Sequence, residues 1–384
     1  MKKYTTSLTL LTAAFGFYSP LLAADPQIGT GETDGYKLVW QDLFDGESLD
    51  PLCWNIEVNG NGGGNNELQY YTDREENVHI GDDGKGNRAL ILTAVRGYYK
   101  GKTVTSGRVT TQNRVAFTHG KMEASIRLPK TARGLWPAFW MMGDDHAQVG
   151  WPRSGETDIL EMGHSNGFGG NEERYFNGAS HWGPQWPQAS SAKSLNAAYS
   201  LQDDEYHLFT IIWDEQGYSM YYDLDRNPSA RPYYSLSCPV KDTNNEWDPG
   251  NYFHKPNFIL FNLAVGGDFP GIHNIHDVTA LNEENNYQAS MYINYVKIYQ
   301  KGNADDYIDY VAQPSGVENI AMESSAEGSI RLGESEVTAD SAISLYTVDG
   351  SKVAYSEDGA ISLISLPAGI YIAYAAGKSL KIKI

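Results

Sequence analysis

Three carboxylate side chains lie within six residues of this sequence, in the run Glu156-Thr-Asp158-Ile-Leu-Glu161. Side chains alternate between the two faces of an extended strand, so Glu156 and Asp158 share one face. Glu161 is five positions from Glu156 and would point to the opposite face. One extra residue, a β-bulge around Ile159-Leu160, would bring all three carboxylates together, and bulges favour active sites because they re-aim a side chain.

Carboxylates held side by side are costly unless function requires them, because like charges raise one another's pKa. Two carboxyl groups about 5–5.5 Å apart suit a retaining glycosidase, in which one is the nucleophile and the other the acid and base. A third carboxyl between them can orient the nucleophile and hold a proton. The alternative is a solvated acidic strand with Glu161 facing away, and the pattern alone leaves both interpretations open.

The composition restricts the class of protein that must position these groups. The chain has 384 residues, a formal net charge of −19, 41% hydrophobic residues, 12% aromatic residues and 39 glycines. A strongly acidic chain repels phosphate backbones, so nucleic acid is not an expected partner. The hydrophobic and aromatic content excludes a disordered acidic protein. No apolar run after residue 25 approaches the roughly 18 residues needed to cross a bilayer, so we expect no membrane span. Separately, we expect the protein to be a monomer.

Short runs of alternating apolar residues, separated by Gly, Pro and other turn residues, are typical of antiparallel strands. The clearest runs are 89–95, 121–128, 209–213, 219–223, 258–263 and 290–299. They predict an all-β sandwich or barrel. Its tryptophans would either pack in the core or face a cleft, where aromatic rings stack on the apolar C–H faces of sugars.

The first 24 residues have the order of a secretory signal. Lys2-Lys3 precedes an apolar stretch from Leu8 to Leu22, and the small residues Ala23-Ala24 follow. We therefore expect export to a secreted, extracellular or cell-surface location. Cys53 and Cys238 are the only cysteines, and whether they pair in an exported protein is left open.

The composition changes after about residue 302. All nine Trp lie between Trp40 and Trp247, and the last Phe is Phe269. Turn residues in 303–316 predict a linker between a domain over 25–302 and a small β-domain over 317–384. In this tail the turn Asp349-Gly350 and the run Leu366-Pro-Ala-Gly-Ile-Tyr, followed by a basic strand, resemble the C-terminal sorting domains of type IX secretion. An ordinary accessory β-module is the alternative.

The run Glu156-Thr-Asp-Ile-Leu-Glu161 resembles the E-x-D-x-x-E signature of glycoside hydrolase family 16, in its bulged, laminarinase-like form. Other segments resemble family segments in family order: Asn65-Asn66-Glu67-Leu-Gln-Tyr-Tyr71, Ser106-Gly-Arg108, Gly134-Leu-Trp136-Pro-Ala-Phe-Trp140-Met and Asn262-Leu-Ala-Val-Gly-Gly-Asp-Phe-Pro270. The resemblance extends from about Leu38 to Tyr299. It implies a β-jelly-roll with a concave cleft that cuts β-glucans internally with retention of configuration.

The resemblance also implies a role for each carboxylate. Glu156 would attack the anomeric carbon, and Glu161 would protonate the leaving oxygen and then deprotonate the incoming water. Asp158 would hydrogen-bond to Glu156 and tune its charge. No cofactor is required, because two carboxyl groups supply both the nucleophile and the proton transfers.

The resemblance assigns further residues to substrate binding: Asn66, Glu67, Arg108, Trp136, Trp140, Trp151 and His181. The tryptophans match positions that line sugar subsites, with core packing as the alternative for each. The first three residues match groups that contact sugar hydroxyls on the non-reducing side, and a turn role is the alternative for Asn66. His181 matches a cleft histidine near the acid/base. His207 is interpreted as structural, and His164 has no assigned role.

Many proteins that share this resemblance bind a structural calcium ion on the convex face, through acidic residues near the first and last strands. Leu43 and Asn294 stand at these usual acidic positions. Calcium prefers several carboxylate or carbonyl oxygens, so losing two acidic groups should weaken the site. We therefore expect no strong calcium site here, and no other metal is predicted.

Three functions remain open at this point. The first is an endo-β-glucanase acting on β-1,3-glucan, on mixed-linkage β-1,3-1,4-glucan, or on both. The second is a non-catalytic β-glucan-binding protein, which the intact set of three carboxylates disfavours. The third is a transglycosylase, which only the shape of the acceptor site would separate from a hydrolase.

Overall fold

The computed structural model describes residues 30–240, 244–310, 330–332, 336–347, 352–363, 366, 370–375 and 378–383. The expected signal at 1–24, the segment 311–329 and the turn Asp349-Gly350 lie outside the described residues. The larger unit contains the strands β1 (Lys37–Asp42), β2 (Asn55–Ile56), β3 (Tyr70–Tyr71), β4 (Val78–Asp82), β5 (Arg88–Tyr99), β6 (Lys102–Ser106), β7 (Arg108–Thr110), β8 (Val115–Thr118), β9 (Gly120–Arg127), β10 (Leu135–Gly143), β11 (Glu156–Met162), β12 (Tyr175–Trp182), β13 (Ala189–Asn196), β14 (His207–Asp214), β15 (Gly217–Tyr222), β16 (Tyr234–Ser237), β17 (Asn257–Val265), β18 (Gln288–Gln300) and β19 (Tyr307–Tyr310).

Helical structure in the described residues is short. The α-helix α1 covers His146–Val149, and 3₁₀ turns cover Gly62–Gly64, Ser165–Gly167, Pro249–Asn251, Ile275–Asp277 and Glu283–Asn285. Within the described part of the chain, no helix has the length and apolar character needed to cross a bilayer. The prediction of an all-β chain is confirmed.

Two large sheets form the jelly-roll. A ten-stranded sheet has the order β16-β15-β14-β9-β18-β5-β6-β3, with β1 also on β18 and β4 also on β5. A nine-stranded sheet has the order β13-β12-β11-β10-β17-β7-β2, with β8 on β17 and β19 on β8. Neighbouring strands in the nine-stranded sheet are antiparallel throughout.

The core lies between the two sheets because each sheet turns every second side chain inward. Phe139 on β10 and Phe261 on β17 are opposite in register and stack with ring centroids 4.8 Å apart. Met122 and Ile126 on β9 supply fully buried side chains from the ten-stranded sheet. The other face of the nine-stranded sheet is therefore free to carry polar groups.

A second, smaller unit follows. Its strands are β20 (Arg331–Leu332), β21 (Glu336–Thr338), β22 (Ile343–Thr347), β23 (Lys352–Ser356), β24 (Ala360–Ser362), β25 (Ile370–Ala375) and β26 (Lys378–Lys383). They form a three-stranded sheet, β20-β21-β24, and a four-stranded sheet, β23-β22-β25-β26. Val337, Ile343, Leu345 and Tyr371 belong to a separate buried cluster, so this unit has a core of its own.

The predicted linker at 303–316 needs correction. Residues Tyr307–Tyr310 form strand β19, which pairs with β8 and joins the nine-stranded sheet. Ile308 and Tyr310 alternate with polar residues and pack against the main core. The turn residues on both sides of this short run favour a linker in the sequence, so the pattern does not by itself predict a strand. The larger unit therefore ends at Tyr310 or beyond, not at residue 302.

Candidate active site

The bulge in β11 brings the three carboxylates to one face. Against β10, Glu161 lies opposite Ala138 and Asp158 lies opposite Trp140, with one extra residue on β11 between them. Against β12, the register shifts between Asp158 and Glu161. The irregularity falls on Ile159-Leu160, where the spacing predicted it, and both of those side chains are fully buried in the core.

We call this side of the nine-stranded sheet the carboxylate face. Directly opposed residues in antiparallel strands point to the same side, so the register identifies its members. The neighbours of the carboxylates on β10 are Trp136, Ala138, Trp140 and Met142, and on β12 they are Asn177, Ala179 and His181. On β17 and β7 the face continues through Asn262 and Arg108. The sheet thus brings together residues from five widely separated segments.

Burial raises the pKa of all three carboxyl groups, and repulsion from neighbouring carboxylates adds to this for Asp158 and Glu161. Burial raises the pKa of Glu156 to about 7, against the opposing effects of Arg108 and of a hydrogen bond from Trp151. Burial and then the charge of Glu156 raise the pKa of Glu161 to about 8, against a hydrogen bond from Trp136. Glu156 therefore ionises before Glu161, so near neutral pH the site can hold one carboxylate and one carboxylic acid.

Asp158 lies between these two groups and is almost fully buried at 5% exposure. Burial, followed by the charges of Glu156 and Glu161, holds its pKa well above its usual value. Its Oδ2 lies 3.5 Å from Nε2 of His181, outside ordinary hydrogen-bond distance. Burial in turn lowers the pKa of His181. Both shifts favour the uncharged forms of the two groups, which suits a proton held close to Glu156.

Each catalytic glutamate candidate is held by one indole N–H. Nε1 of Trp136 donates to Oε1 of Glu161 at 3.1 Å, and the Trp136 ring stacks on Phe269 with centroids 4.6 Å apart. Trp151 donates to Glu156 and lies 5.6 Å from the ring of Trp186. Trp136 is 8% exposed and Trp151 is 37% exposed, so Trp151 presents the larger surface to solvent.

A chain of contacts leads from Trp140 to Arg108. The Arg108 guanidinium lies 4.8 Å from the Trp140 ring centroid and pairs with Glu57 at 3.0 Å. Nε1 of Trp140 donates to Oδ1 of Asn262 at 2.7 Å. These bonds fix a flat aromatic ring and a cation side by side, which is suited to a sugar ring and its hydroxyls.

Glu67 lies beneath this arrangement, at 6% exposure. Its carboxylate accepts hydrogen bonds from Gln69 and from the Tyr71 hydroxyl, and the Tyr71 hydroxyl accepts one from Asn262 at 3.3 Å. The structure thus places Glu67 in a buried supporting network. Asn66 is exposed at φ 56° and donates to both carboxylate oxygens of Asp268 at 3.1 Å, as a turn residue would.

His207 and His164, two of the histidines outside the carboxylate face, have structural surroundings. His207 is fully buried and its ring nitrogens lie 2.8 Å from Asp223 and 3.0 Å from Asp203. His164 packs edge-on against Phe269 with centroids 4.8 Å apart. Cys53 and Cys238 are both buried, and no disulfide joins them.

Sequence reasoning missed several residues of this site. Asn262 and Phe269 belong to a segment that was recognised, but nothing in their types marked them individually. Glu57 and Trp186 carried no local signal, because each acts through a partner that is distant in sequence.

Glu156, Asp158 and His181 each offer an atom within 4.8 Å of the others, a grouping able to approach a metal ion. Metal binding requires deprotonated ligands, and burial raises the pKa of both carboxyls. The donor set therefore fits proton chemistry better than metal ligation. On the convex face, Leu43 and Asn294 provide no carboxylate.

Comparisons with known proteins agree with this geometry. The model of the family "Glycosyl hydrolases family 16" matches residues 65–230. The chain is 36% identical to a glucan endo-1,3-beta-glucosidase of Cryptopygus antarcticus, over 66% of this chain and 88% of that protein. The structure of a Bacteroides ovatus mixed-linkage glucan GH16 protein covers 67% of this chain and 99% of its own, with 39% identity and a TM-score of 0.58. The laminarinase structure from Rhodothermus marinus gives 30% identity and a TM-score of 0.56, over 69% of this chain and 97% of its own.

Two further relatives are much longer. The chain spans 40% of the glucan endo-1,3-beta-glucosidase A1 of Niallia circulans and 34% of the clotting factor G alpha subunit of Tachypleus tridentatus. The likeness to these two is therefore confined to one part of each.

Proposed function

The chain belongs to glycosyl hydrolase family 16, and from this premise we propose that it is a secreted, retaining endo-β-glucanase. Its substrate would be β-1,3-glucan, mixed-linkage β-1,3-1,4-glucan, or both. The observation that carries the proposal is the bulged strand β11, which sets Glu156, Asp158 and Glu161 side by side with unequal proton affinities.

In the first step Glu156 attacks the anomeric carbon while Glu161 donates a proton to the departing glycosidic oxygen. The order of the two pKa values favours this division, because Glu156 loses its proton at lower pH than Glu161. The Arg108 charge and the Trp151 N–H both favour the ionised form of Glu156. The product is a glycosyl ester on Glu156, and the leaving chain departs with a new hydroxyl group.

In the second step the now ionised Glu161 removes a proton from water as the water oxygen attacks the anomeric carbon; the bond from that carbon to the Glu156 oxygen breaks, Glu156 leaves as a carboxylate and Glu161 is again protonated. Loss of the Glu156 charge during esterification lowers the pKa of Glu161, because that charge is one of the causes of its elevation. The same residue can therefore act first as acid and then as base. Burial raises the pKa of Asp158, and in its protonated form this carboxyl would donate a hydrogen bond that favours return of the negative charge to Glu156.

The substrate class rests on the relatives. The protein of Cryptopygus antarcticus is named for 1,3-linked glucan, and that of Bacteroides ovatus for mixed-linkage glucan. Identities of 36% and 39% do not separate the two linkages, so the proposal covers both. A keratan-sulfate endo-1,4-beta-galactosidase is a more distant relative at 26% identity, and a net charge of −19 gives no support for a sulfated substrate.

The test compares the mature protein and the variant Glu156→Gln on laminarin, barley mixed-linkage glucan and agarose. The proposal expects the wild-type protein to release soluble oligosaccharides from at least one of the two glucans, and the variant to bind the same glucan without cleaving it. Undiminished turnover by the variant would overturn the assignment of Glu156. Binding without cleavage by the wild-type protein would instead support the glucan-binding function.

A transglycosylase on the same scaffold would form the same ester but pass it to a second sugar. Adding an oligosaccharide acceptor and measuring the ratio of longer products to hydrolysis products separates the two activities. Export is tested by the mass of the protein recovered outside expressing cells, which should lack the first 23 or 24 residues if Ala23-Ala24 marks the cleavage site.

A further inference from the structure

Trp186 is the most exposed tryptophan of the chain, at 69% of its surface. It lies in the connection between β12 and β13, and its ring contacts that of Trp151 with centroids 5.6 Å apart and planes at 38°. The Trp151 ring in turn lies 6.4 Å from that of His181. The exposed indole is therefore the outer end of an aromatic surface that begins at the carboxylate face.

The loop that carries Trp186 is attached to the body at several points. The Pro184 carbonyl accepts a hydrogen bond from Nε of Arg153 at 2.6 Å. A Cβ on Gly183, whose φ is +137°, would stand 2.7 Å from the Trp247 ring, so Gly183 packs closely on that ring. Nε1 of Trp182 donates to the Trp247 carbonyl at 2.9 Å. A large apolar ring held outward in this way suits an apolar partner from outside the chain.

The position of this loop relative to β11 indicates which part of a bound chain it would meet. Arg108 and Trp140 lie on the β10, β17 and β7 side of the carboxylates, and Asn66 bonds to Asp268, which follows β17. The family resemblance assigns Arg108 and Asn66 to groups on the non-reducing side of the cut bond. Trp186 lies on the opposite side, next to β12 and β13.

We propose that Trp186, backed by Trp151, is a stacking platform for a glucosyl residue on the leaving-group side of the cut bond. This rests on the proposed function and specifies it further, because it makes Trp186 a determinant of where along the chain cleavage occurs. The ring face would contact the apolar C–H face of the sugar, which needs no hydrogen-bond partner on Trp186.

The test maps cleavage positions on β-1,3- and mixed-linkage gluco-oligosaccharides labelled at the reducing end. Trp186→Ala should lower kcat/KM on long oligosaccharides by about three- to ten-fold, the range typical of one aromatic contact. The cuts that remain should move toward the reducing end, because fewer units are then held on the leaving-group side. Trp186→Phe should restore part of the wild-type pattern.

Tyr355→Ala is the matched control, because Tyr355 is 56% exposed but lies in the separate four-stranded sheet. It should leave both kcat/KM and the cleavage positions unchanged. An unchanged cleavage pattern in Trp186→Ala would overturn the proposal, including the case in which kcat falls equally for all substrates.

A binding measurement distinguishes failure of the Trp186 proposal from failure of the proposed hydrolase function. Glucan affinity is measured by calorimetry for Glu156→Gln with and without Trp186→Ala. If wild-type protein cleaves nothing, the hydrolase assignment fails while weaker binding in the double variant still supports the platform. Equal affinities in this pair would overturn the platform in either case.

A different observation concerns the convex face. Nε and Nη2 of Arg88 donate to the Gly46 carbonyl at 3.1 and 2.8 Å, and Nδ2 of Asn294 donates to the Arg88 carbonyl at 3.1 Å. Arg88 thus links the loop after β1, the loop that contains Leu43, to β18, the strand that contains Asn294. An amide N–H and a guanidinium both repel a metal cation from this place.

We infer that the Arg88 guanidinium provides here the positive charge that a calcium ion would otherwise provide between these segments. The melting temperature of the wild-type protein should then be the same with added calcium and with a chelator. Arg88→Ala should lower it by about 2–4 °C, the shift for loss of roughly one net hydrogen bond, and Arg88→Lys by less. A chelator-induced fall in the wild-type protein, or an unchanged melting temperature in Arg88→Ala, would overturn the inference.

Discussion

Each catalytic glutamate candidate accepts a hydrogen bond from a different indole N–H. The same substitution at the two tryptophans should therefore change the width of the pH profile in opposite directions. Trp136 donates to Glu161, and Trp151 donates to Glu156. The proposed mechanism requires Glu156 ionised and Glu161 protonated, so it predicts that the acid limb of kcat/KM follows Glu156 and the alkaline limb follows Glu161. The wild-type profile should therefore be bell-shaped, with its maximum near pH 7 to 8.

Replacing either Trp by Phe removes the donor and keeps most of the ring. A hydrogen bond to an ionised group contributes about 1.5–3 kcal/mol, and roughly 1.4 kcal/mol corresponds to one pKa unit. Both glutamates keep some contact with water, so the lower end of this range applies. Each indole favours the ionised form, and its loss should raise the pKa of its own glutamate by about one unit.

The two variants should then differ in a simple way. Trp136→Phe should move the alkaline limb up by about one pH unit and broaden the profile, whereas Trp151→Phe should move the acid limb up and narrow it. The assay is kcat/KM on one soluble glucan measured across the pH range at constant ionic strength. Because the carboxyl groups of the cluster interact, each limb reports a pKa of the cluster rather than of one residue. The test is therefore the difference between the profiles of the two variants. Movement of the acid limb in Trp136→Phe, or of neither limb in both variants, would refute the assignment of the two roles.

Asp158→Asn should lower kcat only about ten-fold, well short of the roughly thousand-fold loss expected for Glu156→Gln, because burial raises the pKa of the Asp158 carboxyl toward its protonated form and the amide keeps a donor. Equal losses measured side by side would contradict this. Gly63→Ala should lower the melting temperature by about 2–4 °C and raise KM, because its Cβ would stand 2.1 Å from Oε1 of Glu67 at a φ of +60°; scanning fluorimetry and steady-state kinetics measure both, and an unchanged KM would separate Glu67 from the site. His207→Asn should destabilise the fold most at acidic and neutral pH. Burial lowers the pKa of His207, but hydrogen bonds to two aspartates outweigh burial and raise it, so its contribution is complete below the unfolded pKa and fades as pH rises through the folded value. The difference in melting temperature from wild type should therefore be smaller at pH 9 than at pH 6, and a difference that grows with pH would contradict the charged state.

The carboxylate cluster was predictable because strand periodicity is strict. A period of two places Glu161 on the opposite face unless one residue is added, so the spacing offers a bulge around Ile159-Leu160 as one of two interpretations. The resemblance to the bulged family signature favours that interpretation. The structure has its register shift between Asp158 and Glu161, as that argument required. The all-β class was predictable for the same reason, since alternation is a local property of each strand.

Other features depend on distant contacts and were not predictable. Glu67 resembles a surface ligand in sequence, and its burial follows only from Gln69, Tyr71 and the glycine-rich loop folding over it. The strand Tyr307–Tyr310 has few residues and turn-rich flanks, and it gains its order from pairing with β8. Trp186 lies outside the core because its loop contacts Arg153 and Trp247. No local sequence pattern predicts these contacts.

The most direct test of the central claim is to trap the glycosyl-enzyme with a 2-fluoro-glucosyl oligosaccharide that carries a good leaving group. The fluorine slows both steps, and the leaving group keeps the first one fast enough for the ester to accumulate. We predict a stoichiometric mass increase of the intact protein, located on Glu156 by peptide mapping, and no label in Glu156→Gln. A label on Glu161, or an active enzyme that forms no covalent adduct, would contradict the account.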